Sequence, residues 1–375
     1  MSTLYLDNAA TSPVRPEVRE AMLPFLGETF GNPSSHHAVG EAAASALDDA
    51  RARVAQVLGM RRGDVVFCSG GTEANNLAVK GIVLGSDGRR LVTTAIEHES
   101  ILGSADYLAR RHGVEVVHAP VDANGVLSPS TLREALAEGA ALVSFGHGNN
   151  EVGTVQDVAA LVAVARDAGV PVHVDAVQSA GWLPLHGLGA DAVTLSGHKL
   201  GAPKGIGVAG IRGRIPVEPL VHGGGQERGR RSGTENVAAA VGFARALELA
   251  EAERAEASAR VAAFRDAFVA GVLSLVPSAR LTGHPTRRLP SVAGFTFAGV
   301  NGETVLLELE RRGVVGSSGA ACAAGSDEPS HVLLALGIPP EVARTSVRIT
   351  FPHRHMPVSA AELAALVADS VAAVA

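Results

Sequence analysis

An alternation of short apolar runs and longer amphipathic stretches occupies residues 63 to 212. Strand-length runs such as 64–68 and 91–94 are separated by helix-length stretches such as 72–84, 100–112 and 155–168. Strands that alternate with helices in this way form a mostly parallel sheet with helices on both faces. We therefore predict an α/β fold, in which ligands bind beyond the carboxyl ends of the strands.

The rest of the chain predicts a second, smaller unit. An alanine- and glutamate-rich stretch at 235–274 reads as a long helix. Beyond it, strands at 291–297 and 345–350 alternate with helices at 303–312 and 359–374, which suits an α+β domain.

A chain of 375 residues is long enough for roughly two domains. We predict a large domain over 15–250 and a small α+β domain built from 1–14 and 251–375.

Composition and charge exclude several classes of protein. The formal net charge is -6 and the longest basic run is the short one at 228–231, so we expect no nucleic-acid partner. No apolar run is long enough to span a membrane and no secretory signal is visible, which predicts a cytoplasmic protein without a membrane partner. The two cysteines, Cys68 and Cys322, match neither a disulfide framework nor a zinc spacing, and we predict no metal site.

Polar residues and glycines follow several of the apolar runs. Gly71 and Thr72 open a helix, where free amides and a hydroxyl suit a phosphate group, although the same residues also serve in ordinary turns and helix caps. Asp175 ends the run 172–174 and would either keep a cationic ring nitrogen protonated or cap a helix. Gln178, three residues further on, could bind a phenolic oxygen on the same ligand ring as Asp175.

Lys199 lies in the segment 196–205, among a hydroxyl, an imidazole and several glycines. A crowded, partly dehydrated amine loses its proton readily and suits a Schiff base with an aldehyde cofactor, which points to pyridoxal 5'-phosphate (PLP). Most lysines lie in surface loops, and Lys199 alone would be interpreted in that way. The other candidate residues of the chain favour a lysine that binds the cofactor.

Of three further candidates, two follow apolar runs and the third lies within one. His98 could stack on a cofactor ring and move protons, or cap the next helix. Asn150 belongs to a group of amides that suits a ring oxygen or a turn. Arg348 is a charge in an apolar run, which a grip on a substrate α-carboxylate or a structural ion pair would explain.

A series of segments follows one order along nearly the whole chain: 5–11, 31–35, 70–76, 97–98, 149–153, 175–178, 196–199 and 231–236. In this order they resemble the motifs of cysteine desulfurases, which belong to the class V aminotransferase group of fold-type I PLP enzymes. The segments 317–322 and 328–333 resemble the catalytic-cysteine loop of the subgroup with the longer loop.

The resemblance implies that eight residues bind PLP: Lys199 through a Schiff base, Asp175 at the pyridine nitrogen, Gln178 and Asn150 at the phenolic oxygen, His98 on the ring face, and Thr72, Ser196 and His198 at the phosphate.

The same resemblance implies a homodimer in which Thr234 of one subunit reaches the phosphate in the other. Arg348 and Asn32 would bind the carboxylate of the substrate, L-cysteine. Cys322 would attack the sulfur, release alanine and carry a persulfide to a sulfur-acceptor or scaffold protein, as in iron-sulfur cluster assembly or thiolation.

The residues around Cys322 are glycines, alanines and serines, which predicts an exposed loop, whereas Cys68 lies in an apolar run and reads as a core thiol. Two other activities stay open on the same residues. A selenocysteine lyase or another PLP-dependent β-eliminating lyase would not require Cys322, and a cofactor-free scaffold would not require Lys199.

Overall fold

The computed structural model describes residues 3–318 and 328–375. Its centre is a seven-stranded sheet in the order β2-β8-β7-β6-β5-β3-β4. The strand β8 runs antiparallel to both of its neighbours, and the other pairs are parallel. The predicted mostly parallel sheet is confirmed. Its strands are β2 (Val65–Cys68), β3 (Arg90–Thr93), β4 (Glu115–His118), β5 (Leu142–Gly146), β6 (Val172–Asp175), β7 (Ala192–Ser196) and β8 (Gly207–Ile211).

Helices cover both faces of this sheet, so alternate side chains of one strand enter different cores. In β2, Val65 and Phe67 join one buried apolar cluster, whereas Val66 and Cys68 join another. Burial on both faces explains why the strands are continuous apolar runs in the sequence. The helices of this part are α1 (Pro16–Met22), α2 (Ala38–Leu58), α3 (Gly71–Asn76), α4 (Ile82–Leu84), α5 (Glu99–His112), α6 (Pro129–Ala135) and α7 (Val158–Asp167). A π-helical segment, Leu77–Gly81, joins α3 to α4.

A second apolar core lies around a three-stranded antiparallel sheet in the order β12-β10-β9. Phe268, Phe295 and Phe351 pack edge to face within it. The strands are β9 (Ala279–Leu281), β10 (Val292–Phe297) and β12 (Ser346–Thr350), and the helices are α9 (Gly302–Arg311), α10 (His331–Ala335), α11 (Pro340–Ala343) and α12 (Ala360–Ala372).

The 39-residue helix α8 (Val237–Leu275) packs on both cores. Its first part, with Phe243 and Leu247, belongs to the core of the large sheet, and its last part, with Phe268 and Val272, belongs to the core of the small one. The domain limits at 14/15 and 250/251 stay a prediction.

The N-terminal segment joins the two sheets. Strand β1 (Leu4–Tyr5) pairs in parallel with β11 (Val314–Val315). Asn8 then donates from Nδ2 to the Thr350 carbonyl at 2.8 Å, and the Ser12 amide donates to the His198 carbonyl at 2.9 Å. This segment therefore lies between β12 and the turn that carries Lys199.

Within residues 3–318 and 328–375, none of the helices is both long enough and apolar enough to cross a membrane. The same residues contain no group of three or more His, Cys, Asp or Glu side chains arranged to hold a metal ion.

Candidate functional site

A cavity of about 570 Å³ opens at the carboxyl ends of the parallel strands. It lies between the large sheet and the N-terminal segment, and β12 closes one side. Ten of the residues singled out in the sequence line it: Gly71, Thr72, His98, Asn150, Asp175, Gln178, Ser196, His198, Lys199 and Arg348. Residues from distant parts of the chain thus converge on one site, as the strand-end positions predict.

The first wall of the cavity is the turn between β2 and α3. A Cβ atom on Gly71 would lie 3.1 Å from Ser196 Cβ and 3.1 Å from Val177 Cγ2, tighter than ordinary contact. Glycine therefore lets the start of α3 approach the end of β7 closely. Thr72 follows in the first turn of the helix, where backbone amides have no partner within the helix and favour an anion.

Lys199 ends the short 3-10 turn that follows β7. Its Nζ donates to the Ala10 carbonyl at 2.6 Å and to the Ala9 carbonyl. Beside it, Nδ1 of His198 lies 3.1 Å from Thr11 Oγ1. Burial lowers the pKa of His198 to about 4, and the charges of Lys199 and Lys204 add to this effect. His198 is therefore neutral at neutral pH.

Asp175 ends β6 and is buried. Its Oδ1 accepts a hydrogen bond from the Val177 amide at 2.9 Å, and its Oδ2 accepts one from Nδ2 of Asn75 at 2.7 Å. A carboxylate has about four acceptor sites, so Asp175 can accept a further hydrogen bond from a ligand. Gln178 lies one turn on and donates from Nε2 to the Ala9 carbonyl at 3.0 Å.

His98 lines the cavity and also caps α5. Its Nδ1 accepts a hydrogen bond from the Ser100 amide at 3.1 Å and lies 2.8 Å from Ser100 Oγ. The capping interpretation made from the sequence is therefore confirmed, and the role of His98 on a cofactor ring stays a prediction.

Arg348 lies in β12 with only 2% of its surface exposed. Its Nη2 donates to Asp7 Oδ1 at 2.7 Å, and its Nη1 donates to the Asn150 carbonyl at 3.0 Å. The ion pair that the sequence left open is present, and the guanidinium also lines the cavity.

Two predicted residues among those that the structure describes, Asn32 and Thr234, do not line the cavity. Asn32 is exposed, and its Oδ1 accepts a hydrogen bond from the Ser34 amide at 2.9 Å. Thr234 is also exposed and does not line the cavity of its own chain. Cys322 lies outside the described residues.

The structure adds residues that the sequence did not single out as functional. Asn75 and Ser100 line the cavity, and so does Glu97, whose Oε2 accepts a hydrogen bond from the Gly146 amide at 2.7 Å. Burial raises the pKa of Glu97 to about 8, and the negative charge of Asp175 adds to the rise. The available signal was the polar chemistry of these residues and their position within three residues of predicted site residues.

The donor set fits a small phosphorylated aldehyde with a basic ring nitrogen. Lys199 supplies an amine for the aldehyde, and Asp175 supplies a carboxylate for the ring nitrogen. The amides at the start of α3, together with Thr72, Ser196 and His198, supply neutral hydrogen-bond donors for a phosphate.

Comparisons with known proteins identify the family of this chain. The aminotransferase class-V family matches residues 4–355. The cysteine desulfurase IscS of Dictyoglomus turgidum is 42% identical over 351 residues, which are 92% of this chain and 89% of that protein. An IscS-like cysteine desulfurase of Mycobacterium tuberculosis is 43% identical over 359 residues, 93% of this chain and 91% of that protein.

Solved structures give the same result. A structure described as a NifS-like protein superimposes with a TM-score of 0.91 at 34% identity, covering 99% of this chain and 100% of that one. A structure described as SspA in complex with cysteine superimposes with a TM-score of 0.81 at 33% identity, covering 94% and 100%. Because the matches extend over nearly the whole chain, the protein belongs to the class-V aminotransferase family.

Proposed function

We propose that this protein is a PLP-dependent cysteine desulfurase that converts L-cysteine to L-alanine and transfers the sulfur to Cys322. The observation that carries the proposal is the convergence of Lys199, Asp175 and Arg348 on one cavity of about 570 Å³. These residues supply an amine, an acid and a cation. The names of the curated relatives support the reaction, and the neighbour in complex with cysteine supports the substrate.

PLP, when bound, supplies an electron sink that weakens the bonds around the α-carbon of an amino acid. Lys199 would hold it covalently, and Asp175 would keep its ring nitrogen protonated. Gln178 and Asn150 would bind its phenolic oxygen. A neutral His198 would bind the phosphate as a hydrogen-bond donor together with Thr72 and Ser196.

Arg348 would bind the carboxylate of L-cysteine. Its guanidinium is fixed by Asp7 and by the Asn150 carbonyl, and its Nε has no hydrogen-bond partner among the described residues. A fixed, charged donor group gives a carboxylate both affinity and orientation. Asn32 would assist in a conformation that differs from the one described.

His98 would move a proton between the substrate and the site. With Nδ1 accepting from the Ser100 amide, the neutral ring carries its proton on Nε2. In this state Nε2–H donates a hydrogen bond, and His98 gives a proton only from its doubly protonated, cationic form.

Cys322 would accept the sulfur atom. The thiol of Cys322 and L-cysteine become a Cys322 persulfide and L-alanine, so the C–S bond of the substrate breaks and an S–S bond forms. A thiol reductant then releases sulfide and restores Cys322. We also propose a cytoplasmic homodimer that delivers sulfur to an acceptor or scaffold protein.

The test is anaerobic incubation of the PLP-loaded protein with L-cysteine and a thiol reductant. A desulfurase forms alanine and sulfide in equal amounts, and Lys199→Ala forms neither. A β-eliminating lyase forms pyruvate and ammonia instead of alanine, and a cofactor-free scaffold stays colourless and forms no product. Either of these two results would overturn the proposal. L-selenocysteine offered beside L-cysteine measures the selectivity between them.

A further inference from the structure

Asn75 is buried between Asp175, which would bind the ring nitrogen of the cofactor, and the Ser100 hydroxyl beside His98, which would lie on the ring face. It lies on α3 with 2% of its surface exposed. Its Nδ2 donates to Asp175 Oδ2 at 2.7 Å and to Ser100 Oγ at 2.9 Å. The two N–H groups of the Asn75 amide therefore each donate a hydrogen bond. One acceptor is Asp175, and the other is Ser100, which in turn contacts His98.

The orientation of this amide is determined by its partners. A carboxylate only accepts hydrogen bonds, so the nitrogen of Asn75 faces Asp175. Its Oδ1 then accepts from the Thr194 hydroxyl. Because this bond uses the only proton of the hydroxyl, Thr194 must accept from Nε2 of His173, which lies 3.0 Å away.

The hydrogen bonds continue from Thr194 to His173 and Ser144, which are fully buried. Burial lowers the pKa of His173 to about 4, so the ring is neutral at neutral pH. With its proton on Nε2, it accepts at Nδ1 from the Ser144 hydroxyl at 2.8 Å. Every buried donor from Ser144 to Asn75 has an acceptor, as buried polar groups require.

The second N–H group of Asn75 affects His98 through the Ser100 hydroxyl. Ser100 Oγ accepts from Asn75, which leaves its own proton for His98 Nδ1 at 2.8 Å. The Ser100 amide donates to the same nitrogen at 3.1 Å. Two donors on Nδ1 leave the proton of a neutral His98 on Nε2.

We propose that Asn75 is a positioning residue. Its hydrogen bonds to Asp175 and to Ser100 link Asp175 to His98 and fix the direction of each hydrogen bond between them. Towards Asp175 it donates a 2.7 Å hydrogen bond to Oδ2, which fixes the orientation of the buried carboxylate. Towards His98 it directs the Ser100 hydroxyl onto Nδ1, which leaves the N–H of a neutral His98 on Nε2 as a hydrogen-bond donor. The part that concerns the cofactor rests on the proposed function, and the histidine tautomers do not.

The first test uses the cofactor-free protein and is independent of turnover. Nitrogen NMR of histidine-labelled protein, with the His98 signals identified by their loss in His98→Gln, reports which ring nitrogen carries the proton. We expect an unprotonated Nδ1 and a protonated Nε2 for His98. In Asn75→Leu, the Ser100 hydroxyl is no longer directed onto Nδ1, so the His98 signals should shift towards those of a mixture of the two tautomers. The shift should be partial, because the Ser100 amide still donates to Nδ1. A proton on Nδ1 of His98 in the unmodified protein would overturn the inference.

The second test measures the dissociation constant of PLP by titrating cofactor-free protein. Asn75→Leu removes a hydrogen bond to a buried charge and should weaken binding by about tenfold or more. Asn76→Leu is the matched control: Asn76 donates to the Thr72 carbonyl at 2.9 Å and to the Ser100 carbonyl at 3.4 Å, but not to Asp175 or to the Ser100 hydroxyl, so the affinity of this variant for PLP should stay within about twofold of the unmodified protein. If Asn75→Leu does not fold, as judged by circular dichroism, the smaller Asn75→Ala serves, with the same expectation. Unchanged affinity in a folded Asn75 variant refutes the role, whereas failure of the unmodified protein to bind PLP refutes the proposed function instead.

Discussion

Arg348 and Asp7, which lie at opposite ends of the chain, form a 2.7 Å ion pair at the edge of the cavity. The guanidinium is almost completely buried, and the aspartate side chain is 17% exposed. A buried cation is stable only when it is paired and hydrogen-bonded. The N-terminal segment therefore completes the site, because it supplies the charge that keeps Arg348 in place.

Replacing this partner should destabilise the protein. Asp7→Asn keeps an acceptor oxygen but removes the charge, so the free energy of unfolding should fall by about 1–3 kcal/mol. Urea denaturation measures the change. Asp87→Asn, at an exposed aspartate, should change stability by less than about 0.5 kcal/mol. Equal stability of the two variants would show that the ion pair contributes nothing.

The sequence predicted the order of the elements because most strands are buried on both faces. The expected strand at 64–68 is β2 (Val65–Cys68), and the expected helix at 235–274 is α8 (Val237–Leu275). The helix expected at 155–168 begins later, at Val158. Asp157 caps it by accepting from the Ala160 amide at 3.1 Å, while Val155 forms a bridge with Gly148.

The site was predicted where it depends on strand ends and missed where it depends on tertiary contacts. Asp175 and Lys199 follow apolar runs, and the topology brings them to the same edge of the sheet. Asn75 meets Asp175 across 100 positions of sequence, and Asp7 meets Arg348 across 341. No local pattern encodes such pairs, because they arise only when the sheets and the N-terminal segment have packed together.

We expect the cofactor to be linked to Lys199. Both Lys199 and Lys204 line the cavity, but only the nitrogen of Lys199 is bound to the Ala9 and Ala10 carbonyls in its interior. After borohydride reduction, peptide mass spectrometry should find the cofactor on Lys199, and Lys199→Ala should lose both the yellow colour and the modification. Lys204→Ala, the matched control, should keep both. Modification of Lys204 in the unmodified protein would contradict the assignment.

The buried carboxyl of Glu97 should make stability depend on pH. Its pKa is raised by burial from 4.5 to about 8, so the folded state holds this proton more tightly than the unfolded state does. The free energy of unfolding should therefore fall as the pH rises from about 4.5 to about 8. Glu97→Gln should lose less stability than the unmodified protein between pH 6 and pH 9.

Glu28→Gln, at an exposed glutamate, is the control for this comparison and should keep the full pH dependence. Comparing each variant with itself at the two pH values removes any constant cost of the substitution. An unchanged pH dependence in Glu97→Gln would mean that another group titrates in this range.

Thr234 should act in the site of a partner subunit. Thr234 is exposed in its own subunit. The segment that carries it is held at the surface by Arg231, whose Nε lies 2.8 Å from Oε1 of Glu73 in α3. If the segment is shared, mixing Lys199→Ala with Thr234→Glu should restore activity, because half of the sites in each mixed dimer carry neither change. If each site uses its own Thr234, every site stays defective and no activity returns. A monomeric mass at working concentration would also contradict sharing.

The central claim is that sulfur leaves L-cysteine through Cys322. The other cysteine, Cys68, is 3% exposed in β2, and burial raises the pKa of its thiol, which makes it a poor nucleophile. Removal of an attacking nucleophile reduces the rate by about 10³-fold or more. Cys68→Ala is the matched control and should keep near-normal turnover with at most a modest loss of stability.

The decisive measurement is therefore alanine formation from L-cysteine under anaerobic conditions, with mass spectrometry of the Cys322 peptide. We predict that Cys322→Ala keeps the cofactor and its spectrum but loses alanine formation, and that Cys68→Ala forms alanine and carries one extra sulfur atom on Cys322. Alanine release by Cys322→Ala at a near-normal rate would contradict the account.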